Sequence, residues 1–182
     1  LDRERMIAQY DCDIAFGDRE FGRFVRELKA AGLYEDALIV FLADHGEEFL
    51  EHGRWLHGRS LFDELIRVPL LVKLPGNRAA GTRVSEQVQG LDVVPTVLEA
   101  LGIEAPGAIK GVTQSPIEGH SFAHALDQAN APSKHITQYF EMMGHRSIYH
   151  DGWRAVCPWP GTSFKEAGMF FGAPIDKDKL TA

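Results

Sequence analysis

Apolar residues recur at intervals of three and four along the first thirty residues of the chain. These intervals place them on one stripe of a helix, which consists of Ile7, Tyr10, Ile14, Phe21, Phe24, Val25 and Leu28. Gly32 stands where the period ends, as expected at a helix stop. The pattern predicts one long amphipathic helix over residues 2–31.

Two continuous apolar runs predict buried strands. The first run occupies residues 37–43 and is typical of a strand that is covered on both faces. The second run occupies residues 68–74, and Pro69 near its start favours an edge strand or a strand entrance. Because a long helix is followed after a short connection by a strand, the pattern indicates an α/β fold.

Two shorter helices are predicted from their capping residues. Ser60 and Asp63 have the spacing of a Ser-x-x-Asp capping box at the start of a short helix. Asp92 is expected to cap another helix, which runs through Leu101 and is closed by Gly102. Both helices would begin just after a polar stretch of the chain.

The stretch 105–117 is rich in proline and glycine and has no clear period, so we place a domain boundary there. The two domains are then 1–104 and 105–182. In the second domain the pattern predicts one helix and three short strands, at residues 121–126, 135–140, 146–149 and 153–156. His150-Asp151-Gly152 is a hairpin signal between the last two strands. A small α+β subdomain is therefore expected.

Composition and charge are those of a globular protein and argue against a nucleic-acid surface. The 182 residues are 45% hydrophobic, which is enough for a sizeable core. The net charge of −7 is the opposite of what binding to a phosphate backbone requires. No apolar stretch approaches the ~20 residues of a membrane span. Cys12 and Cys157 form neither a disulfide framework nor a zinc pattern, and each is expected to be a buried free thiol.

The densest candidate chemistry follows the first predicted strand, which ends at Asp44-His45-Gly46. Ligands collect at the carboxyl ends of strands in open α/β sheets, and Gly46 would supply backbone freedom for the turn. A carboxylate oxygen beside an imidazole nitrogen suits a divalent cation, and favours calcium less than an all-oxygen shell would. Asp44 and His45 are thus predicted metal ligands, with an ordinary polar turn as the alternative. Further potential ligands follow closely: Glu47, Glu48, Glu51, His52, His57, Asp63 and Glu64.

Histidines supply the remaining candidates. His57 is predicted to give a proton or a positive charge to an anionic substrate. His52 is predicted to do the same or only to orient the loop, and for both the alternative is an exposed loop histidine. His120 and His124 are spaced to share one helix face, but the sequence supplies no third ligand beside them, so no metal site is predicted there.

The segment 38–47 closely resembles the second metal-binding segment of sulfatases, within the alkaline phosphatase superfamily. Residues 10–18 resemble the helix that precedes that strand in the family, and the rear part is similar to bacterial arylsulfatases. Other segments that carry the likeness are 51–57, 61–64, 67–70, 91–98, 111–119 and 137–141. Together the segments cover nearly all of residues 8–157.

The resemblance implies an alkaline phosphatase-like α/β sandwich, with the C-terminal part of the catalytic domain in residues 1–104, and hydrolysis of a small-molecule sulfate ester. Asp44 and His45 would hold a divalent metal, Ca²⁺ first, with Mn²⁺, Mg²⁺ and Zn²⁺ as alternatives. His57 stands where many sulfatases have a lysine that contacts the sulfate group, and would act in catalysis and substrate binding. A histidine at this position replaces the permanent positive charge of the lysine with a charge that depends on pH. His52 would also bind the substrate.

Two family features are missing from the sequence. Sulfatases make a formylglycine nucleophile from a Cys/Ser-x-Pro-x-Arg segment, and neither Cys12 nor Cys157 lies in one. The paired N-terminal aspartates that complete the family's metal shell are also missing. We therefore expect an incomplete chain that is inactive alone and whose upstream half carries the nucleophile. Export to the periplasm or outside the cell is left open.

Two other functions are compatible with these residues. A phosphonate or phosphodiester hydrolase of the same superfamily would carry the same Asp-His pair. A non-catalytic binding module would have kept the fold without the nucleophile. The sequence alone does not separate either alternative from a sulfatase.

Overall fold

The computed structural model describes residues 2–159, which form a mixed α/β structure. Two compact units are present: residues through Arg78 together with those from Gln138 onward, and Ala79–Thr137. The predicted division of the chain into domains at residues 104 and 105 stays a prediction.

The first helix, α1 (Arg3–Ala30), has the length that its hydrophobic period predicts. The Asp2 side chain caps it by accepting a hydrogen bond from the Glu4 amide at 3.1 Å. Gly32 follows the helix with a φ of 70°, a conformation that glycine adopts without strain. The prediction of a helix over residues 2–31 is confirmed.

The two predicted buried strands pair with each other. Strand β1 (Ile39–Leu42) runs antiparallel to β4 (Leu70–Lys73), with Val40 opposite Val72. Pro69 lies just before β4, where the missing N–H removes no ladder hydrogen bond, as predicted.

The expectation that the first strand is covered on both faces is not met within this chain. Phe41 contacts Phe21 of α1 at a ring distance of 4.8 Å, yet it remains 41% exposed. Leu71, its partner across the ladder, is 58% exposed.

Between these strands lie three short elements: β2 (Glu48–Phe49), β3 (Trp55–Leu56) and helix α2 (Asp63–Ile66). Strands β2 and β3 pair antiparallel in a hairpin that the sequence pattern does not predict. The predicted Ser60 capping box is wrong, because α2 begins only at Asp63 and has no side-chain cap. The Ser60 hydroxyl donates instead to the buried Glu48 carboxylate at 3.4 Å.

The second unit contains α3 (Val93–Leu101), which ends at Gly102 in the left-handed conformation, as predicted. The Asp92 side chain does not cap α3. Instead it accepts a hydrogen bond from Gln89 and holds the 3₁₀ turn that precedes the helix. A two-residue hairpin of β5 (Ala108–Ile109) and β6 (Val112–Thr113) occupies the segment assigned as a boundary.

Three strands form the rear sheet in the order β7 (Thr137–Met142), β8 (His145–His150) and β9 (Trp153–Cys157). All three match predicted strands. Asp151 and Gly152 turn the chain between β8 and β9 with φ angles of 45° and 84°, which confirms the hairpin signal. The predicted helix at 121–126 is reduced to a 3₁₀ turn over Ala123–Leu126.

Cys12 and Cys157 are free, as expected, but both are exposed, so the prediction that they are buried is wrong. Within residues 2–159, no helix is both long and apolar enough to cross a membrane.

His145, the first residue of the central strand β8, is a buried titratable group with only 1% of its surface exposed. Its Nδ1 accepts a hydrogen bond from the Trp159 amide at 2.8 Å, which requires a neutral ring with the proton on Nε2. Burial lowers the pKa of His145, and the charge of Arg54 lowers it further, against a smaller opposing effect of Glu141. The folded protein therefore holds this imidazole neutral.

The lowered pKa of His145 makes stability depend on pH. As the pH falls below 6.5, the ordinary value, the unfolded chain binds a proton that the folded chain resists, so the free energy of unfolding decreases. We expect His145→Asn, which keeps an acceptor for Trp159, to flatten the decline in urea-unfolding free energy between about pH 7.5 and 5.5. An equal slope in the two proteins would contradict this account.

Candidate active site

The chain turns sharply just after β1, and the turn brings two potential ligand atoms together. The His45 amide donates to Asp44 Oδ1 at 3.0 Å, while Asp44 Oδ2 lies 3.6 Å from His45 Nε2. His45 Nδ1 lies 2.9 Å from the Gly46 carbonyl oxygen, which can only accept, so Nδ1 carries the proton. Nε2 is the ring nitrogen that faces the Asp44 carboxylate.

The donors at this turn fit a divalent cation. Two ligand atoms about 2.1 Å from one ion lie roughly 3.4 Å apart at a tetrahedral angle, close to the spacing of the Asp44 and His45 atoms. Both side chains are accessible, with 89% and 44% of the Asp44 and His45 side chains exposed. The Nδ1–H contact to Gly46 fixes the ring as the outer partners of metal-bound histidines do. We call Asp44 and His45 the ligand corner.

Gly46 joins this corner to helix α2. Its amide donates to the Leu65 carbonyl oxygen at 2.8 Å, and a Cβ atom on Gly46 would lie 1.9 Å from the Glu64 carbonyl oxygen. Gly46 does not have a positive φ, so the prediction that it supplies turn freedom is wrong. Glycine is required because two stretches of backbone approach each other too closely for any side chain.

His57 is the predicted site residue that the structure brings to the ligand corner. Its ring centroid lies 4.0 Å from that of His45, with the ring planes inclined by 33°. Its Nδ1 lies 3.2 Å from Glu47 Oε2, and about half of the side chain is exposed. The His57 ring therefore contacts His45 through one face and Glu47 through Nδ1. Its other ring nitrogen, Nε2, is not part of these two contacts.

His52 occupies a different environment. Its ring stacks on Phe62 at a centroid distance of 3.6 Å, nearly parallel, and its Nδ1 lies 2.6 Å from Glu64 Oε1. These contacts tie His52 to the residues that flank the start of α2. The geometry favours the second of its two predicted roles, which is to orient the loop.

Glu48 is the residue whose importance the sequence does not reveal. Its side chain is fully buried, and Oε1 accepts hydrogen bonds from the amides of His52 and Arg54 at 3.2 and 3.0 Å. Oε2 accepts from the Ser60 hydroxyl. A buried carboxylate needs such donors, because an unpaired charge away from water is costly. Glu48 thus anchors the loop that carries both histidines.

Other acidic residues of the segment also have local partners. Glu51 accepts from the Phe49 amide at 2.5 Å and pairs with Arg3 of α1 at 3.2 Å. Partial burial raises the pKa of Glu51, but the backbone hydrogen bonds and Arg3 outweigh it and lower the pKa overall. Asp63 pairs with Arg154 of β9 at 2.9 Å. These carboxylates hold elements together and are not directed at the ligand corner.

A second group of potential ligands is formed by Glu48, His52 and Glu64, whose ligand atoms all lie within 4.8 Å of one another. In this group the Glu48 carboxylate already accepts three hydrogen bonds from the chain. His52 is engaged by Glu64. In the ligand corner, in contrast, the His45 Nε2 atom and the Asp44 carboxylate face each other, and both side chains are exposed.

Comparison with known proteins links the site to a family. The sulfatase family model matches residues 2–103. The chain is 31% identical to human arylsulfatase K over 168 residues, covering 90% of this chain and 31% of that protein. It is 39% identical over 114 residues to the multifunctional alkaline phosphatase superfamily protein PehA of Trinickia caryophylli, covering 62% of this chain and 22% of PehA. The chain thus spans a third or less of these relatives.

A solved structure shows the same fold. The phosphonate monoester hydrolase SpPMH from Silicibacter pomeroyi superposes with a TM-score of 0.58 over 78% of this chain and 31% of its own, at 20% identity. The likeness supports the predicted alkaline phosphatase-like α/β fold. The small α+β subdomain predicted for residues 105–182 stays a prediction.

The close approach of the Gly46 and Glu64 backbones can be tested by adding one methyl group at Gly46. Gly46→Ala would force the Glu64 carbonyl or the ligand corner to move, and we expect a loss of about 2–3 kcal/mol in the free energy of unfolding. The matched control is Gly17→Ala in α1, where a Cβ meets nothing within 4 Å. That change should stabilise the helix by about 0.5–1 kcal/mol. Equal effects of the two substitutions in urea unfolding would contradict the close-packing argument.

Proposed function

Because the chain belongs to the sulfatase family, we propose that a protein containing it hydrolyses a sulfate ester and that the ligand corner is part of its active site. The observation that carries the proposal is the ligand corner itself, with Asp44 Oδ2 3.6 Å from His45 Nε2. His57 lies against His45. An anion-processing metal site needs such a combination of cation ligands and a nearby proton donor.

Asp44 and His45 would hold the divalent cation. Ca²⁺ is the first candidate, and the nitrogen ligand keeps Mn²⁺, Mg²⁺ and Zn²⁺ as alternatives. When bound, such an ion offsets the negative charge on the sulfuryl oxygens. The hydrogen bond from His45 Nδ1 to Gly46 holds the ring so that Nε2 stays directed to the ion.

His57 would contact the substrate. The Glu47 carboxylate at its Nδ1 and the His45 ring against its face restrict how the imidazole can turn. Nε2 is then the atom that donates a hydrogen bond or a proton to an ester oxygen. We assign His57 both predicted roles, catalysis and substrate binding.

His52 would stabilise the loop beside the site without contacting the substrate. Its ring is fixed by Phe62 and Glu64, and its amide is bound by Glu48. We therefore propose His52 as a positioning residue for the loop that carries His57, in place of direct contact with the substrate.

We propose that the nucleophile is supplied by residues outside these 182. The sequence contains no Cys/Ser-x-Pro-x-Arg segment from which a formylglycine could form. Asp44 and His45 alone also supply too few ligands for a closed metal shell. We propose that further residues of the complete enzyme supply both, and that this chain is inactive without them.

A phosphonate monoester or phosphodiester hydrolase is the second candidate. It is favoured by the sequence likeness to PehA and by the fold shared with SpPMH. The esters of both classes place a singly charged tetrahedral group at the metal. The ligand corner would serve either reaction, so the substrate class must be measured.

The test is the ratio of kcat/KM values of the complete enzyme for 4-nitrophenyl sulfate and for 4-nitrophenyl phenylphosphonate. We expect the sulfate ester to react at least about tenfold faster, which corresponds to a difference of ~1.4 kcal/mol in transition-state stabilisation. Faster turnover of the phosphonate would establish the second candidate instead.

Two variants show whether the site described here performs that reaction. Asp44→Ala and His57→Ala should each lower kcat/KM for the preferred ester by a factor on the order of 10²–10³, since each removes a charge or proton contact in the transition state. Glu99→Gln on the exposed face of α3 is the matched control and should leave the rate unchanged. Undiminished rates in both active-site variants would reject the assignment. No turnover of any ester would support a non-catalytic module.

A further inference from the structure

The second unit contains a cluster that the proposed reaction does not use. Asp92, His120 and His135 offer ligand atoms that all lie within 4.8 Å of one another. We propose that these three residues form a separate binding site for a divalent transition-metal ion, Zn²⁺ in particular.

Asp92 is already fixed as a ligand would need to be. Its side chain is fully buried at the end of the 3₁₀ turn Gly90–Asp92. Oδ2 accepts from the Gln89 amide at 2.9 Å, and Oδ1 accepts from the His120 amide at 2.8 Å. These two amide hydrogen bonds hold the carboxylate in place, and Oδ2 also faces the His135 ring, where an ion could bind.

His135 supplies the second buried ligand. It is 6% exposed, and its Nε2 lies 2.7 Å from Asp92 Oδ2. The two atoms now share a hydrogen, and an ion can take its place when they separate from 2.7 Å to the spacing of about 3.4 Å that two ligands on one metal have. The nitrogen and the oxygen are thus directed at a common point.

His120 completes the set from the surface. Its ring stands edge-on to that of His135, with centroids 5.4 Å apart and planes at 86°. The His120 side chain is exposed and can rotate inward, while its amide remains bonded to Asp92. Closing the shell to about 3.4 Å between ligand atoms therefore requires movement mainly of this exposed ring.

The donor set selects the class of ion. Two imidazole nitrogens and one carboxylate oxygen suit Zn²⁺, Co²⁺ or Ni²⁺, whereas Ca²⁺ and Mg²⁺ prefer oxygen ligands. Three protein ligands with one side open to solvent leave room for a water molecule. In the sequence, His120 is spaced to share a helix face with His124, and no third ligand stands beside that pair. In the structure His124 lies 3.3 Å from Glu86 instead.

Binding would join three segments that are distant in the sequence. Asp92 precedes α3, and its partners His120 and His135 lie 28 and 43 residues further along the chain. An ion that binds only the folded arrangement stabilises it by mass action. The proposed site is therefore structural, and it does not depend on the proposed function.

The experiment uses the 182-residue chain with Asp44→Ala and His45→Ala, so that the ligand corner cannot bind the probe. After chelator treatment, the protein is titrated with Co²⁺ and followed by its visible absorption, and Zn²⁺ is added in a thermal-unfolding assay. We expect one saturable Co²⁺ site and a Zn²⁺-dependent rise in Tm. Adding His120→Ala should weaken that site by at least about tenfold and abolish the rise.

The matched control is His124→Ala, which removes a nearby histidine outside the cluster and should leave both signals intact. His120→Ala removes an exposed ring and keeps the amide bond to Asp92, so the fold should be retained, which circular dichroism can verify. Equal Co²⁺ affinity with and without His120, or no saturable site, would overturn the proposal. Either result would leave the proposed ester hydrolysis at the ligand corner unaffected. The tested protein lacks the Asp44 and His45 side chains, and no ester is added.

Discussion

The contact between Gly46 and the end of α2 is the constraint on which the site depends. The hydrogen bond from the Gly46 amide to Leu65 fixes the chain immediately after Asp44 and His45. Because a Cβ atom would collide with the Glu64 carbonyl, the two backbones can be this close only with glycine. The end of β1 and helix α2 are thereby held together, and the intervening loop must fold back between them.

Glu48 organises the loop that this contact closes. Its fully buried carboxylate accepts three hydrogen bonds from the loop that carries His52 and His57. The positions of the two histidines are therefore coupled. His52 is fixed on the α2 side through Glu64, and His57 is left beside His45. Structure and proposed chemistry are linked here, since the acidic residues that look like metal ligands in the sequence are mostly used to shape the loop.

Much of this could be predicted from the sequence because it depends on local pattern. The helix α1, the strands β1 and β4 and the rear hairpin follow from hydrophobic period and turn residues. The position of Asp44 and His45 at the end of an apolar strand was also predictable, while their role as metal ligands stays a proposal. The role of Gly46 was not, because it depends on the backbone of a helix 18 or 19 residues further along.

The errors have the same physical origin. The Ser60 cap failed because a buried carboxylate 12 residues earlier takes its hydroxyl. Asp92 was predicted to cap α3 and instead binds groups 28 and 43 residues away. The apolar runs correctly predicted strands β1 and β4. The expectation that β1 is covered on both faces was not met, because apolar side chains of both strands are exposed. Local rules identify which residues are polar or apolar, but competing tertiary partners decide where each side chain is directed.

The central claim is that Asp44 and His45 bind a cation together. The most direct test is a crystal of the complete enzyme soaked with Mn²⁺, with anomalous diffraction used to locate the ion. The claim predicts an anomalous peak about 2.2 Å from both Asp44 Oδ2 and His45 Nε2. A peak bound by Glu48, His52 and Glu64, with none at the ligand corner, would contradict it.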